Sequence, residues 1–162
     1  MVNATATSAL CAQLATVLQE RGWMLATAES CTGGMIAAAC TDLSGSSNWF
    51  ERGFVTYSNE AKAELLGVDP GLIAQHGAVS EVVARAMAFG AIRHSRAQAS
   101  VAVTGVAGPT GGTPDKPVGL VWFGFQVDGR LTSESRHFPG DRAAVRAATV
   151  DHAIRRLLEL LT

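Results

Sequence analysis

Ser30 is the residue in this sequence that is best placed to act as a nucleophile. It lies in the segment Glu29–Gly34, directly before an alanine-rich stretch whose composition favours a helix. Backbone N–H groups at the start of a helix can hold a developing anion, and the helix dipole favours negative charge there. Ser30 is therefore a candidate nucleophile for acyl transfer, or it only caps the helix. The backbone groups that would form the oxyanion hole and contact substrate are those of Cys31, Thr32, Gly33 and Gly34.

Lys62 is the candidate base for this serine. A serine hydroxyl is a poor nucleophile at neutral pH and needs a neighbouring base. The chain has two lysines, Lys62 and Lys116, against eleven arginines. Lys62 follows the second predicted strand, close to where the turn at Ser30 should lie. A lysine acts as a base only when it is desolvated and most lysines are solvated surface groups, so both interpretations of Lys62 stay open.

Cys31 is a second candidate nucleophile, because thiols at helix N-termini have lowered pKa values. With Cys11 and Cys40 it makes an odd number of cysteines without a CxxC pair, so neither a disulfide framework nor a zinc site is indicated. Reduced thiols fit a cytoplasmic protein. We expect no metal and no cofactor, because HxxxH and HExxH spacings are missing among the histidines, which are His76, His94, His137 and His152.

Two further regions are candidates for substrate binding. The glycine-rich segment Thr104–Thr113 follows a predicted buried strand, the place where open α/β sheets bind ligands. It lacks both GxGxxG and a following GKS or GKT, so ATP or a dinucleotide is not indicated. We expect Thr104, Gly105 and Gly108 to contact the substrate. Arg142, at the start of the last predicted helix, is a candidate phosphate clamp or a surface arginine.

The pattern of apolar residues predicts the elements that position these groups. Asp69-Pro70-Gly71 is interpreted as a turn, and Asp128-Gly129 as the turn of a hairpin. The elements predict an α/β class, a three-layer α/β/α sandwich around a mixed, mostly parallel sheet with a C-terminal antiparallel hairpin, in a single domain over residues 1–162. The predicted helices are Ala6–Arg21, Met35–Leu43, a short one after Ser58, one from Ser80 to about Arg96, and one from Asp141 through Leu161, and the predicted strands are Trp23–Ala28, Trp49–Tyr57, Ala99–Val103, Val118–Val127 and Leu131–Phe138.

Composition excludes several classes of protein. A hydrophobic fraction of 48% with 17% charged residues excludes a disordered chain, and no apolar run is long enough to span a membrane. A formal net charge of −1 gives no electrostatic basis for binding a polyanion. We therefore expect no nucleic-acid and no membrane partner. The N-terminus lacks the pattern of a secretory signal, which agrees with a cytoplasmic location.

At these same residues the sequence resembles the CinA C-terminal domain family, whose stand-alone members are nicotinamide-nucleotide amidases. The likeness covers nearly the whole chain in six ordered blocks. These blocks are residues 28–34, 50–62, 77–80, 104–109, 116–119 and 139–142.

The resemblance implies an amidohydrolase that converts nicotinamide mononucleotide to nicotinate mononucleotide and ammonia. Ser30 would be the acylated nucleophile, Lys62 its base and Tyr57 an assisting hydroxyl. The resemblance also implies an α/β/α fold, a small-molecule nucleotide substrate and a homo-oligomer. Two alternatives stay open: an amidase for a different small amide, and a non-catalytic nucleotide-binding or regulatory module.

Overall fold

The computed structural model describes residues 4–162. Its helices are α1 (Ala4–Arg21), α2 (Met35–Thr41), α3 (Asn59–Leu66), α4 (Pro70–His76), α5 (Glu81–Arg93) and α6 (Arg142–Leu161), with one turn of 3-10 helix at Ser46–Asn48. Its strands are β1 (Leu25–Glu29), β2 (Phe50–Val55), β3 (Ala99–Gly105), β4 (Leu120–Val127) and β5 (Arg130–His137).

The strands form one mixed sheet in the order β2-β1-β3-β4-β5. β1 pairs in parallel with β2 on one side and with β3 on the other. β4 pairs antiparallel with both β3 and β5, so it alone runs against the other strands of the sheet. The Asp128-Gly129 hairpin and the mixed sheet are confirmed.

Helices cover both faces of the sheet, which confirms the three-layer sandwich. One core lies between the sheet and α1, α2 and α6, and includes Leu14, Ile36 and Leu157. The other lies between the sheet and α3, α4 and α5, and includes Leu66 and Met87. β1 and β3 are almost entirely buried because both of their faces are covered, and this explains their continuous apolar sequence.

The interpretation of Asp69-Pro70-Gly71 as a turn is wrong, because these residues begin helix α4. Asp69 is the N-cap and accepts a hydrogen bond from the backbone N–H of Gly71 at 2.8 Å. Pro70 occupies the first helical position, where its missing N–H costs nothing. The helix forms because it buries Ile73 in the second core.

The register of the parallel strands decides where the candidate site lies. Glu29, the last residue of β1, pairs with Val55 of β2 and with Val103 of β3. The chain therefore leaves these three strands at one edge of the sheet. Ser30 and Thr56 are the next residues after β1 and β2, so both start at this edge. Among the described helices, none is both long and apolar enough to cross a membrane.

Candidate active site

Lys62 and Ser30 are in direct contact. The Nζ atom of Lys62 lies 3.0 Å from Ser30 Oγ, and only 1% of the Lys62 residue surface is exposed. Lys62 lies in α3, whose N-cap Ser58 accepts from the backbone N–H of Ala61 and whose end is marked by Gly67 with φ 71°. Because α3 follows shortly after β2, this short helix places Lys62 next to Ser30, the residue that follows β1.

The surroundings of the Lys62 amine favour its uncharged form. Burial lowers the pKa of Lys62 from its ordinary value of 10.5. Nζ also lies 2.9 Å from the carbonyl oxygen of Thr56 and 3.2 Å from that of Tyr57. A neutral amine has two N–H groups for these carbonyls and one lone pair for the Ser30 hydroxyl. All three contacts therefore suit an amine that accepts a proton from serine.

The turn that carries Ser30 is fixed by backbone hydrogen bonds. The N–H of Ser30 donates to Val103 O at 3.1 Å, and the N–H of Gly33 donates to Ser30 O at 3.1 Å. Gly33 and Gly34 have φ values of 59° and 107°, a region that favours glycine. The N-cap of helix α2 is Gly34, which has no side chain to cap it, and Ser30 accepts no hydrogen bond from the first turn of the helix in the described residues. The alternative that Ser30 caps this helix is therefore wrong, and its hydroxyl is free for Lys62.

The carboxylate of Glu29 lies at the start of α2, where the sequence led us to expect the anion of the reaction. Glu29 is 1% exposed, and its carboxylate accepts from the N–H of Ile36 at 2.8 Å, from the N–H of Ala37 at 3.0 Å and from Thr32 Oγ1 at 2.6 Å. Sequence reasoning missed this residue because it lies seven and eight positions before the N–H groups that it satisfies, whereas a capping box spans three.

The environment of Cys31 does not produce a reactive thiol. Cys31 is 6% exposed, and burial raises the pKa of its thiol to about 11. The first N–H groups of α2 are directed at Glu29, so the helix terminus does not compensate. The expectation of a lowered thiol pKa is therefore wrong, and Cys31 is protonated at neutral pH.

An open cavity of about 230 Å³ lies over the Ser30–Lys62 pair. The predicted residues that line it are Ser30, Cys31, Tyr57, Lys62, Thr104, Gly105 and Arg142. Sequence reasoning did not single out the other lining residues, which are Asn59, Ala78, Val79 and Ala107. Within residues 4–162, no group of three or more His, Cys, Asp or Glu side chains is arranged to hold a metal ion.

The remaining predicted substrate-binding residues lie outside this lining. Thr32 is fully buried with its hydroxyl on Glu29, and Gly33 and Gly34 shape the turn. Gly108 has φ 81°, and a Cβ atom there would lie 2.5 Å from the side chain of Val118. Glycine is needed at this position so that the loop can fold against itself.

Arg142 and Tyr57 both line the cavity, and each has a contact that was not anticipated. Arg142 is exposed, and its Nη1 donates to Gly108 O at 2.8 Å. One N–H at the start of α6, that of Ala144, is already taken by Asp141 Oδ1 at 2.9 Å. Tyr57 is 64% exposed, and its carbonyl is what contacts Lys62.

Comparison with known proteins identifies relatives of this chain. It is 54% identical over 138 residues to the nicotinamide-nucleotide amidohydrolase PncC of Enterobacter agglomerans, covering 85% of this chain and 84% of that protein. It is 51% identical over 146 residues to the protein of the same name from Escherichia coli K12, covering 90% and 88%.

The fold and the family follow from two further matches. The crystal structure of the competence/damage inducible protein CihA from Agrobacterium tumefaciens superposes with a TM-score of 0.93 at 43% identity, covering 97% of this chain and 96% of that one. The profile of the CinA C-terminal domain matches residues 7–161. This chain belongs to the CinA C-terminal domain family.

Proposed function

We propose that this chain is a nicotinamide-nucleotide amidohydrolase, which hydrolyses the carboxamide of nicotinamide mononucleotide to a carboxylate and ammonia. The observation that carries the proposal is the 3.0 Å contact between the buried Lys62 Nζ and Ser30 Oγ. The names of the two PncC relatives, each matched over most of its length, supply the substrate.

In the first half of the reaction, Ser30 Oγ attacks the carboxamide carbon while its proton passes to Lys62 Nζ. The negative charge that develops on the carbonyl oxygen needs donors within hydrogen-bond distance. The N–H of Cys31, the residue that follows the nucleophile, is our candidate for this role. The protonated Lys62 then gives its proton to the amide nitrogen, the C–N bond breaks, and ammonia leaves an acyl-serine ester.

In the second half, a water molecule attacks the ester carbon and Lys62 takes one of its protons. The C–O bond to Ser30 breaks and the proton returns from Lys62 to Ser30 Oγ. The product is released as a carboxylic acid, which loses the second proton of the water molecule to solvent and becomes the carboxylate. In each half of the reaction, Lys62 Nζ therefore accepts one proton and then donates it again. The carbonyls of Thr56 and Tyr57 stabilise Lys62 whenever it is charged, because they accept from it at 2.9 Å and 3.2 Å.

The size of the cavity suggests how the nucleotide lies. At about 230 Å³ it is smaller than the roughly 300 Å³ at which pockets for whole drug-sized ligands usually begin. It therefore takes the pyridine ring and carboxamide, while the ribose phosphate lies at the open rim. Arg142 flanks the cavity, and one of its guanidinium nitrogens is held by Gly108 O. Its remaining N–H groups can bind phosphate.

The test is ammonia release from nicotinamide mononucleotide by the purified chain and by Ser30→Ala. We expect hydrolysis by the wild type and its loss in the variant. Hydrolysis of other small amides but not of the mononucleotide would assign a different amide substrate. Tight binding of the mononucleotide without any hydrolysis would assign a non-catalytic module instead.

A further inference from the structure

Arg146 binds the turn that carries Ser30 from the side of α6. Its Nε donates to Cys31 O at 3.1 Å and its Nη2 donates to Thr32 O at 3.2 Å. A Cβ built on Gly33 would lie 3.5 Å from Arg146 Nη2, an ordinary van der Waals distance. One guanidinium therefore bridges two successive carbonyls and packs against the turn.

The charge of Arg146 is not neutralised by a carboxylate. In the part of the chain that the structure describes, no Asp or Glu oxygen lies within 4.0 Å of its guanidinium, whereas Arg52, Arg136, Arg155 and Arg156 all form ion pairs. Arg146 is also half-buried, so water screens its charge only in part. Its positive charge is therefore directed into the backbone of the turn.

By holding the carbonyls of Cys31 and Thr32, Arg146 also fixes the orientation of the peptide groups next to Ser30. The carbonyl of Cys31 belongs to the same peptide group as the N–H of Thr32. Across residues 4–162, neither the N–H of Cys31 nor that of Thr32 donates to a backbone oxygen. These are the first two backbone donors after the candidate nucleophile.

We propose that Arg146 is a positioning residue that holds the Ser30 turn, so that Ser30 Oγ and the N–H of Cys31 keep the geometry that acyl transfer needs. This inference rests on the proposed acyl transfer at Ser30 and adds a residue that positions the nucleophile for it. Arg146 acts through the turn and not on the substrate. Its loss should therefore lower the rate of attack by Ser30 without changing how the nucleotide binds or how Lys62 ionises.

The experiment uses two readouts on the wild type and on Arg146→Ala and Arg146→Lys. The first is covalent labelling of Ser30 by a fluorophosphonate, followed by intact mass. In that reaction the Ser30 O–P bond forms, the P–F bond breaks, fluoride leaves, and the serine proton passes to Lys62. We expect labelling to slow by at least about tenfold in Arg146→Ala, and less in Arg146→Lys, which keeps the charge but loses the two-pronged geometry.

The second readout is steady-state hydrolysis of nicotinamide mononucleotide. We expect kcat to fall by a similar factor in Arg146→Ala, with an unchanged KM and an unchanged midpoint of the pH profile. Arg155→Ala is the matched control, because Arg155 lies on the same helix and forms an ion pair with Asp151 at 3.2 Å. It should label and turn over like the wild type.

Three other outcomes overturn one proposal or both. If Arg146→Ala only lowers the melting temperature while its folded fraction labels at the wild-type rate, Arg146 is structural and the inference is wrong. If wild-type Ser30 is labelled but the mononucleotide is not hydrolysed, the proposed substrate is wrong and the labelling comparison still decides the role of Arg146. If wild-type Ser30 is not labelled at all, both proposals are wrong.

Discussion

Replacing Lys62 by arginine tests whether the amine works as a base or only as a charge. An arginine at this position keeps the positive charge and has donors for the carbonyls of Thr56 and Tyr57. Its guanidinium holds its proton at every accessible pH, so it cannot accept one from Ser30. General base catalysis is worth about 10² to 10⁴ in rate, which is about 2.7 to 5.4 kcal/mol of barrier. We therefore expect kcat of Lys62→Arg to fall by that factor, nearly as far as in Lys62→Ala.

The assay is ammonia release from nicotinamide mononucleotide between about pH 6 and about pH 10. Burial lowers the pKa of Lys62, so the neutral amine becomes populated as the pH rises through a value below 10.5. The wild-type rate should rise over that window, and the rise should be absent in Lys62→Arg. Lys116→Arg, at the only other lysine, should keep the wild-type profile. An active Lys62→Arg enzyme with an unchanged profile would refute the assignment, and Tyr57 would be the next base to test.

The other predictions concern the nucleophile, the phosphate, the turn and metal dependence. Ser30→Ala should lose at least about three decades of turnover while Cys31→Ala keeps most of it, because the Cys31 thiol has a pKa of about 11; the opposite ranking in the same assay would indicate a cysteine nucleophile. Arg142→Ala should weaken use of the mononucleotide and change that of the unphosphorylated riboside little, and equal losses would make Arg142 structural. Glu29→Gln should lower the free energy of unfolding by about 1–3 kcal/mol in denaturant titration, since an NH2 group would face a buried backbone N–H; a variant as stable as the wild type would contradict the capping role. Activity should survive prolonged chelation, and a loss that one divalent metal restores would contradict activation of serine by an amine.

The architecture was predictable because its signals are local. Alternating apolar segments, the Asp128-Gly129 turn and the helix starts at Ser80 and Asp141 each depend on a few residues. All of them appear in the structure, where Ser80 and Asp141 are the N-caps of α5 and α6. The error at Asp69-Pro70-Gly71 also has a local cause. The same three residues suit a turn and a helix start, and only the burial of Ile73 decides between them.

The candidate site was predictable only in part. The nearness of Ser30 and Lys62 was predicted because Lys62 follows the second strand close to where the Ser30 turn should lie, and the contact distance of 3.0 Å confirms it. Their catalytic roles stay predictions. Glu29 and Arg146 gave no signal, because a glutamate at a strand end and an arginine on a helix are ordinary surface residues until the tertiary fold brings them to the turn.

The pairing of β1 with β2 places the reactive pair, Ser30 and Lys62, independently of the loop after β3 that helps to line the substrate cavity. The distance between Ser30 and Lys62 is set by the main-chain hydrogen bonds of the β1–β2 pair, which end at Glu29 and Val55, and by the short helix α3 that follows β2. In the glycine-rich loop after β3, Ala107 lines the same cavity, and this loop does not belong to the β1–β2 pair. Grafting a loop of different sequence between Gly105 and Leu120 should therefore redirect the enzyme to amides with other scaffolds while its reactive pair stays assembled.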